Sequence, residues 1–138
     1  MKKFFLILLL SVGSTFVFAQ SQINVPTVVH QAFKTAHNTH DFITWEMEGV
    51  NYKASSIDQQ GVHHITVYDA YGDLVRAESE LTGNQVPEPI VNYMNAKFPP
   101  NTKYNVWSVD SKDGKRTYYS DYNNTIIRFD GQGNEEKN

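Results

Sequence analysis

The stretch Val25-Pro26-Thr27-Val28-Val29-His30-Gln31-Ala32-Phe33 returns 61 positions later as Val86-Pro87-Glu88-Pro89-Ile90-Val91-Asn92-Tyr93-Met94. In both, a proline precedes apolar residues at helical spacing, which predicts an amphipathic helix with one buried stripe. Further along, Tyr68-Asp69-Ala70-Tyr71-Gly72 returns at the same separation as Phe129-Asp130-Gly131-Gln132-Gly133. Two copies of a small helix-plus-strand unit are the expectation, over residues 24–82 and 85–134, joined by Thr82-Gly83-Asn84-Gln85. A unit of about 60 residues buries too little surface to be comfortable alone, so the halves are expected to share a sheet or a core.

After the first helix, Pro26 to His37, the chain alternates: Ile43, Trp45 and Met47 on one side, Thr44, Glu46 and Glu48 on the other. Strand-like runs follow at Tyr52 to Ile57, Val62 to Asp69 and Leu74 to Leu81. Short connections around Gly49, Gly61 and Gly72 exclude parallel crossovers, so an antiparallel meander is predicted. The second copy repeats the plan: a helix anchored by Ile90, Met94 and Phe98 and ended by Pro99-Pro100, then strands Tyr104 to Asp110, Lys115 to Tyr122 and Asn124 to Asp130. Only five residues follow Gly133, so the loss of most of the fourth strand, leaving at most a remnant, and a frayed, charged tail are expected. The fold class is therefore α+β, with two tandem helix-plus-meander repeats and both helices on one face of the sheet.

Met1-Lys2-Lys3 followed by Phe4-Phe5-Leu6-Ile7-Leu8-Leu9-Leu10 and a small-residue end, Val17-Phe18-Ala19, reads as a secretory signal over residues 1–19. The apolar run is short for a bilayer span, and the expectation is a single domain, residues 20–138, in the periplasm or outside the cell. Losing Lys2 and Lys3 takes the formal charge from -3 to -5, which opposes nucleic acid and anionic membrane as partners. The sequence contains no cysteine, which removes disulfides and thiol nucleophiles.

The ordered set Val25-Pro26-x-x-Val29, Trp45-Glu46, Tyr52 and aromatic-Asp-x-x-Gly (Tyr68 to Gly72, Phe129 to Gly133) resembles the PepSY-like, β-lactamase-inhibitor-like family of exported bacterial proteins. The resemblance covers Val25 to Gly133 and implies a binding or inhibitory module of the cell envelope, with no catalytic residues to carry over. The chain departs from that pattern at His37, where the second copy has Phe98, and at the small inward residues Ala54 and Ser56.

The residues themselves offer no enzyme. There is no Gly-x-Ser-x-Gly elbow, no His-Glu-x-x-His helix and no phosphate loop leading into a helix, and no cofactor is expected. His37 and His40, with Asp41 beside them, are the candidates for a metal or small-ligand site. Of His63 and His64, at most one can join them, because neighbours on a strand face opposite ways.

The favoured reading is a protein-binding face. Matching Trp107 and Val109 to the inward Trp45 and Met47, with one extra loop residue, sends Tyr104, Val106 and Ser108 outward. One of Tyr118 and Tyr119 joins them. With Glu46 and Glu48 as an acidic flank, these rings would engage an envelope protein or peptide. Both Trp45 and Trp107 are then expected in the core.

Overall fold

A computed structural model describes residues 23–137. The signal segment expected over residues 1–19 lies outside them. Helix α1 (Thr27–Ala36) leads into strands β1 (Asp41–Glu48), β2 (Asn51–Ile57), β3 (His63–Tyr68) and β4 (Leu74–Leu81). A short 3-10 turn (Gly83–Gln85) passes to helix α2 (Glu88–Lys97) and strands β5 (Asn105–Ser111), β6 (Arg116–Tyr122) and β7 (Thr125–Phe129). All seven strands form one antiparallel sheet in chain order, β1 through β7.

Each helix buries its stripe on its own strands. Val29 and Phe33 pack with Val25, Ala54 and Tyr68, flanked by Trp45 and Tyr52. Ile90 and Met94 pack with Val106, Ile127 and Phe129, flanked by Phe98, Tyr104, Tyr118 and Tyr122. The cross-strand line Ser56, His64, Ser79, Ser108, Tyr118, Phe129 runs between the two clusters, and directly paired residues share a face. Both helices therefore lie on the same side of the sheet, and among the described residues its other side carries no helix.

The recurring Asp-x-x-Gly motif is turn chemistry. Gly72 N–H donates to the Asp69 carbonyl at 3.1 Å and Asp69 N–H to the Asp73 carbonyl at 3.0 Å, while Asp69 Oδ1 accepts from the N–H groups of Tyr71 and Asp73. Asp130, Gln132, Gly133 and Asn134 repeat every one of these bonds. The glycines adopt φ +85° and +84°, the left-handed conformation such hairpin loops require. Both also tuck under the start of a helix. A Cβ on Gly72 would lie 3.1 Å from the Val28 carbonyl oxygen, and one on Gly133 would lie 3.1 Å from Pro89 Cβ.

Hairpin lengths are exchanged between the halves. A tight turn at Gly49-Val50 joins β1 to β2, and a longer Asp58-to-Val62 loop joins β2 to β3. In the second half the long loop comes first, Ser111 to Lys115, and the tight turn second, at Asn123-Asn124 with both residues at positive φ. The lengthening and shortening cancel, so the 61-residue separation of Val29 and Ile90 still holds for Tyr68 and Phe129.

Two expectations are corrected. No extra residue precedes β5: Trp45 corresponds to Val106, not Trp107, and Val106 is 1% exposed beneath α2. Because a one-residue slip exchanges the faces of a strand, Trp107 and Val109 point to the bare side, whereas Tyr104, Val106 and Ser108 point to the helices. Nor does the tail fray: Glu135 bridges Phe129, and Glu136 N–H donates to the Arg128 carbonyl at 2.9 Å, strapping the outer edge of β7. Among the described residues the second unit has no full fourth strand, and the Phe129–Glu135 bridge stands in its place.

Candidate protein-binding face

The bare side of the sheet collects residues from every strand. By register these include Glu46 and Glu48 on β1, Ser55 and Ile57 on β2, and Ile65 and Val67 on β3. They continue with Arg76, Glu78 and Glu80 on β4, Trp107 and Val109 on β5, Tyr119 on β6 and Arg128 on β7. Of the residues expected to bind, Tyr119, Glu46 and Glu48 are here. Tyr104, Val106 and Tyr118 are not; they pack around α2.

At the centre Trp107 and Tyr119, directly paired across β5 and β6, stack with ring centroids 6.1 Å apart and planes within 4° of parallel. The Tyr119 hydroxyl donates to Glu78 Oε2 at 2.8 Å. Glu78 is only 7% exposed, and its other oxygen accepts from Arg76 Nε at 2.6 Å. Arg76 closes a two-pronged pair with Glu48. Strands lie about 4.8 Å apart, so a contact from β1 to β4 obliges both side chains to lean across the strands between them. They do so over this face at Val67, which is 0% exposed.

The chain Glu48–Arg76–Glu78–Tyr119 is thus a connected network in which one guanidinium serves two carboxylates. The Arg76 hydrogen bond holds the Glu48 carboxyl below its usual range. The carboxylates in turn push the Arg76 guanidinium up, the hydrogen bond to Glu48 being the main cause. Burial, then the bond to Glu78, raises the Tyr119 phenol well above its ordinary value. Tyr119 stays a neutral donor and Arg76 a cation throughout the physiological range.

Two clefts flank this network. One, of about 340 Å³, is lined by Arg76, Glu78, Val109, Tyr119, Ile126 and Arg128. The other, of about 220 Å³, lies between Phe42, Ile57, His63, Ile65 and Trp107 and is mostly apolar. A stacked aromatic pair, a hydrogen-bonded Arg–Glu network beside it and two adjoining hollows, one mixed and one mostly apolar, are the ingredients of a protein-recognition surface. Glu46 sits at the margin, paired with Lys53 at 2.7 Å.

His37 and His40 do come together, on the helix side beyond the end of α1. Their ring centroids are 4.5 Å apart, and His64 adds a third ring 4.6 Å from His40. The stack leaves no convergent donor set. His40 Nδ1 is bonded to Ser56 Oγ, and His64 is bonded to Ser79 Oγ and Asp58 Oδ2. Among the described residues no group of three or more His, Asp or Glu is arranged to hold a metal. Burial, then its neighbouring His40 and His64, lowers the His37 pKa; burial and His64 lower that of His40 against the opposing pull of Asp58 and Asp41. What the cluster offers is proton sensitivity.

Neither a family model nor a curated protein sequence matches the chain. Solved structures do. A candidate periplasmic protein from Bacteroides eggerthii is 19% identical, with 83% of this chain and 88% of that one covered at a TM-score of 0.69. A DUF2874 family protein from Bacteroides uniformis is 20% identical over 81% and 86%, TM-score 0.65. A BLIP-like protein from Bacteroides fragilis is 18% identical over 85% and 86%, TM-score 0.60. The chain shares their α+β fold.

Proposed function

We propose that this protein is an exported, non-enzymatic binding module of the cell envelope that engages a protein or peptide partner through the bare face of its sheet. One observation carries the reading: the Trp107–Tyr119 stack stands on that face between two clefts, held by the hydrogen bond of Tyr119 to Glu78 and of Glu78 to Arg76. Binding there orders little that is not already ordered, because Glu78 fixes Tyr119 and Arg76 fixes Glu48 and Glu78. Supporting it are the signal-like residues 1–19, the absence of a catalytic constellation in the sequence and the fold shared with periplasmic and BLIP-like candidates. Among the described residues no helix is long and apolar enough to cross a membrane.

Within this reading residues 20–138 form one domain of two repeats that arose by duplication of an ancestral unit, and the chain belongs with the PepSY-like, β-lactamase-inhibitor-like proteins. The constant separation between the Gly72 and Gly133 turns and between their helices supports the duplication. A β-lactamase is not the expected target, since a shared fold does not transmit target choice.

The test is affinity capture from envelope extract with the wild-type domain and with Trp107→Ala plus Tyr119→Ala. A partner recovered by the first and lost by the second is expected. Equal recovery of every protein by both contradicts the assigned face.

A further inference from the structure

The two edges of the sheet are treated differently. The β7 edge is strapped by the chain's own tail through the Phe129–Glu135 bridge and the Glu136-to-Arg128 hydrogen bond. The β1 edge, eight residues long, has no such strap among the described residues. Free edges are ordinarily guarded by unpaired charges, prolines or bulges. Here Glu46 is paired with Lys53, Glu48 at the strand's end is paired with Arg76, and the strand contains no proline. The register irregularity takes in Phe42 and Ile43, which have no partner on β2, and regular pairing runs from Thr44 to Glu48.

The same strand exposes apolar side chains on both sides of Trp45: Ile43 is 42% and Met47 46% exposed, and Phe42 is 81% exposed at φ +51°. For a non-glycine residue that φ is strained, and Phe42 gains no burial in return. These are not scattered single residues, which need no explanation, but a cluster on one unpaired edge.

We propose that a second copy of this chain covers the β1 edge, the two β1 strands pairing antiparallel about a two-fold axis to make one continuous sheet. Symmetry restricts the register, because directly opposed residues must share a face and the pattern must map onto itself. Centring the axis on Glu46 opposes two carboxylates. Centring it on Trp45 sets Ile43 against Met47 twice on the helix side and Thr44 against Glu46 on the bare side, with no like charges opposed. The arrangement leaves both bare faces free and side by side, which would double the valency of the face assigned above.

Sedimentation velocity from about 1 µM to about 1 mM reads the equilibrium over the range expected of a small interface. The wild type should pass from monomer to dimer. Ile43→Lys and Met47→Lys should each weaken dimerisation by roughly tenfold or more, the size of about 1.4 kcal/mol, while at about 1 µM, where the chains are monomeric, each should still melt in one cooperative transition. Tyr71→Ser, exposed on the loop between β3 and β4 and not part of the β1 edge, should dimerise like the wild type. The register has its own readout, since the chain has no cysteine: mixing Thr44→Cys with Glu46→Cys under oxidation should give the mixed disulfide in excess over either homodimer. A wild type that stays monomeric throughout overturns the proposal, as does a dimer indifferent to both lysines or a mixture without preference for the mixed disulfide. So does a monomer whose β1 amides gain protection only on adding envelope extract, which assigns the edge to a foreign strand.

Discussion

Below the C-terminal end of α2 the second unit places Phe98 against Tyr122, ring centroids 4.5 Å apart; in the first unit the corresponding place holds His37, with His40 and His64 stacked behind it. One plug is a phenylalanine on a tyrosine, the other a stack of imidazoles. The units differ again on the inner face of their second strands, where Ala54 in the first corresponds to Ser120 in the second, both 0% exposed. The shared architecture therefore does not demand the same chemistry beneath each helix. It demands volume and a turn that fits under the helix start.

The comparison breaks most sharply at the two cores. Phe33→Ala and Phe129→Ala should each cost about 3–5 kcal/mol, since both rings are essentially fully buried. Because the units share one sheet, each should lower a single cooperative transition in denaturant. Two separable transitions would show units that fold independently.

Next come the turn glycines. Alanine at φ near +85° costs roughly 1–2 kcal/mol before any clash. Gly72→Ala should exceed Gly133→Ala, because the first Cβ meets the backbone carbonyl of Val28, held in α1, as well as its side chain, whereas the second meets side-chain atoms of Pro89 and Ile90 alone. Chemical denaturation of the two variants checks the order.

Ser120→Ala sharpens the contrast in the other direction. The Ser120 hydroxyl finds no hydrogen-bond partner among the described residues, so making the second unit resemble the first should stabilise by about 0.5–1 kcal/mol. A loss of stability would reveal a bond that the hydroxyl makes.

The smallest effect is a slope. His37 and His40 are protonated less readily folded than free, so unfolding takes up protons as pH falls through about 6.5. Their contribution to stability is present above that range and is lost below it. Melting temperature should therefore fall between about pH 7.5 and pH 5. Installing the second unit's residues, His37→Phe with His40→Asn, should flatten the fall. An identical slope in wild type and variant would place the acid sensitivity elsewhere.

Much of the fold was legible because each signal was local. Proline before a helical stripe, alternation along β1 and Asp-x-x-Gly turns all depend on neighbours in the chain. The phase of β5 was legible too, but only from spacing: Phe98 precedes Val106 by as many residues as His37 precedes Trp45. Matching tryptophan to tryptophan instead inserted a residue that is not there and reversed the face. That error placed Val106 among the binding residues and Trp107 in the core. The network of Glu48, Arg76, Glu78 and Tyr119 could not be read beforehand, since it joins three strands whose register is set by the whole sheet. Sequence likewise hid which of the paired histidines would meet His37 and His40, because the path of the loop after α1 decides it.

The face assignment of β5 carries the functional reading, and thiol accessibility tests it directly in a chain without cysteine. Single variants Val106→Cys, Trp107→Cys, Ser108→Cys and Val109→Cys would be labelled in the native state and the rates compared. Fast labelling at 107 and 109 with protection at 106 and 108 is the expected result. The opposite alternation would return Trp107 to the core and remove the aromatic pair from the bare face.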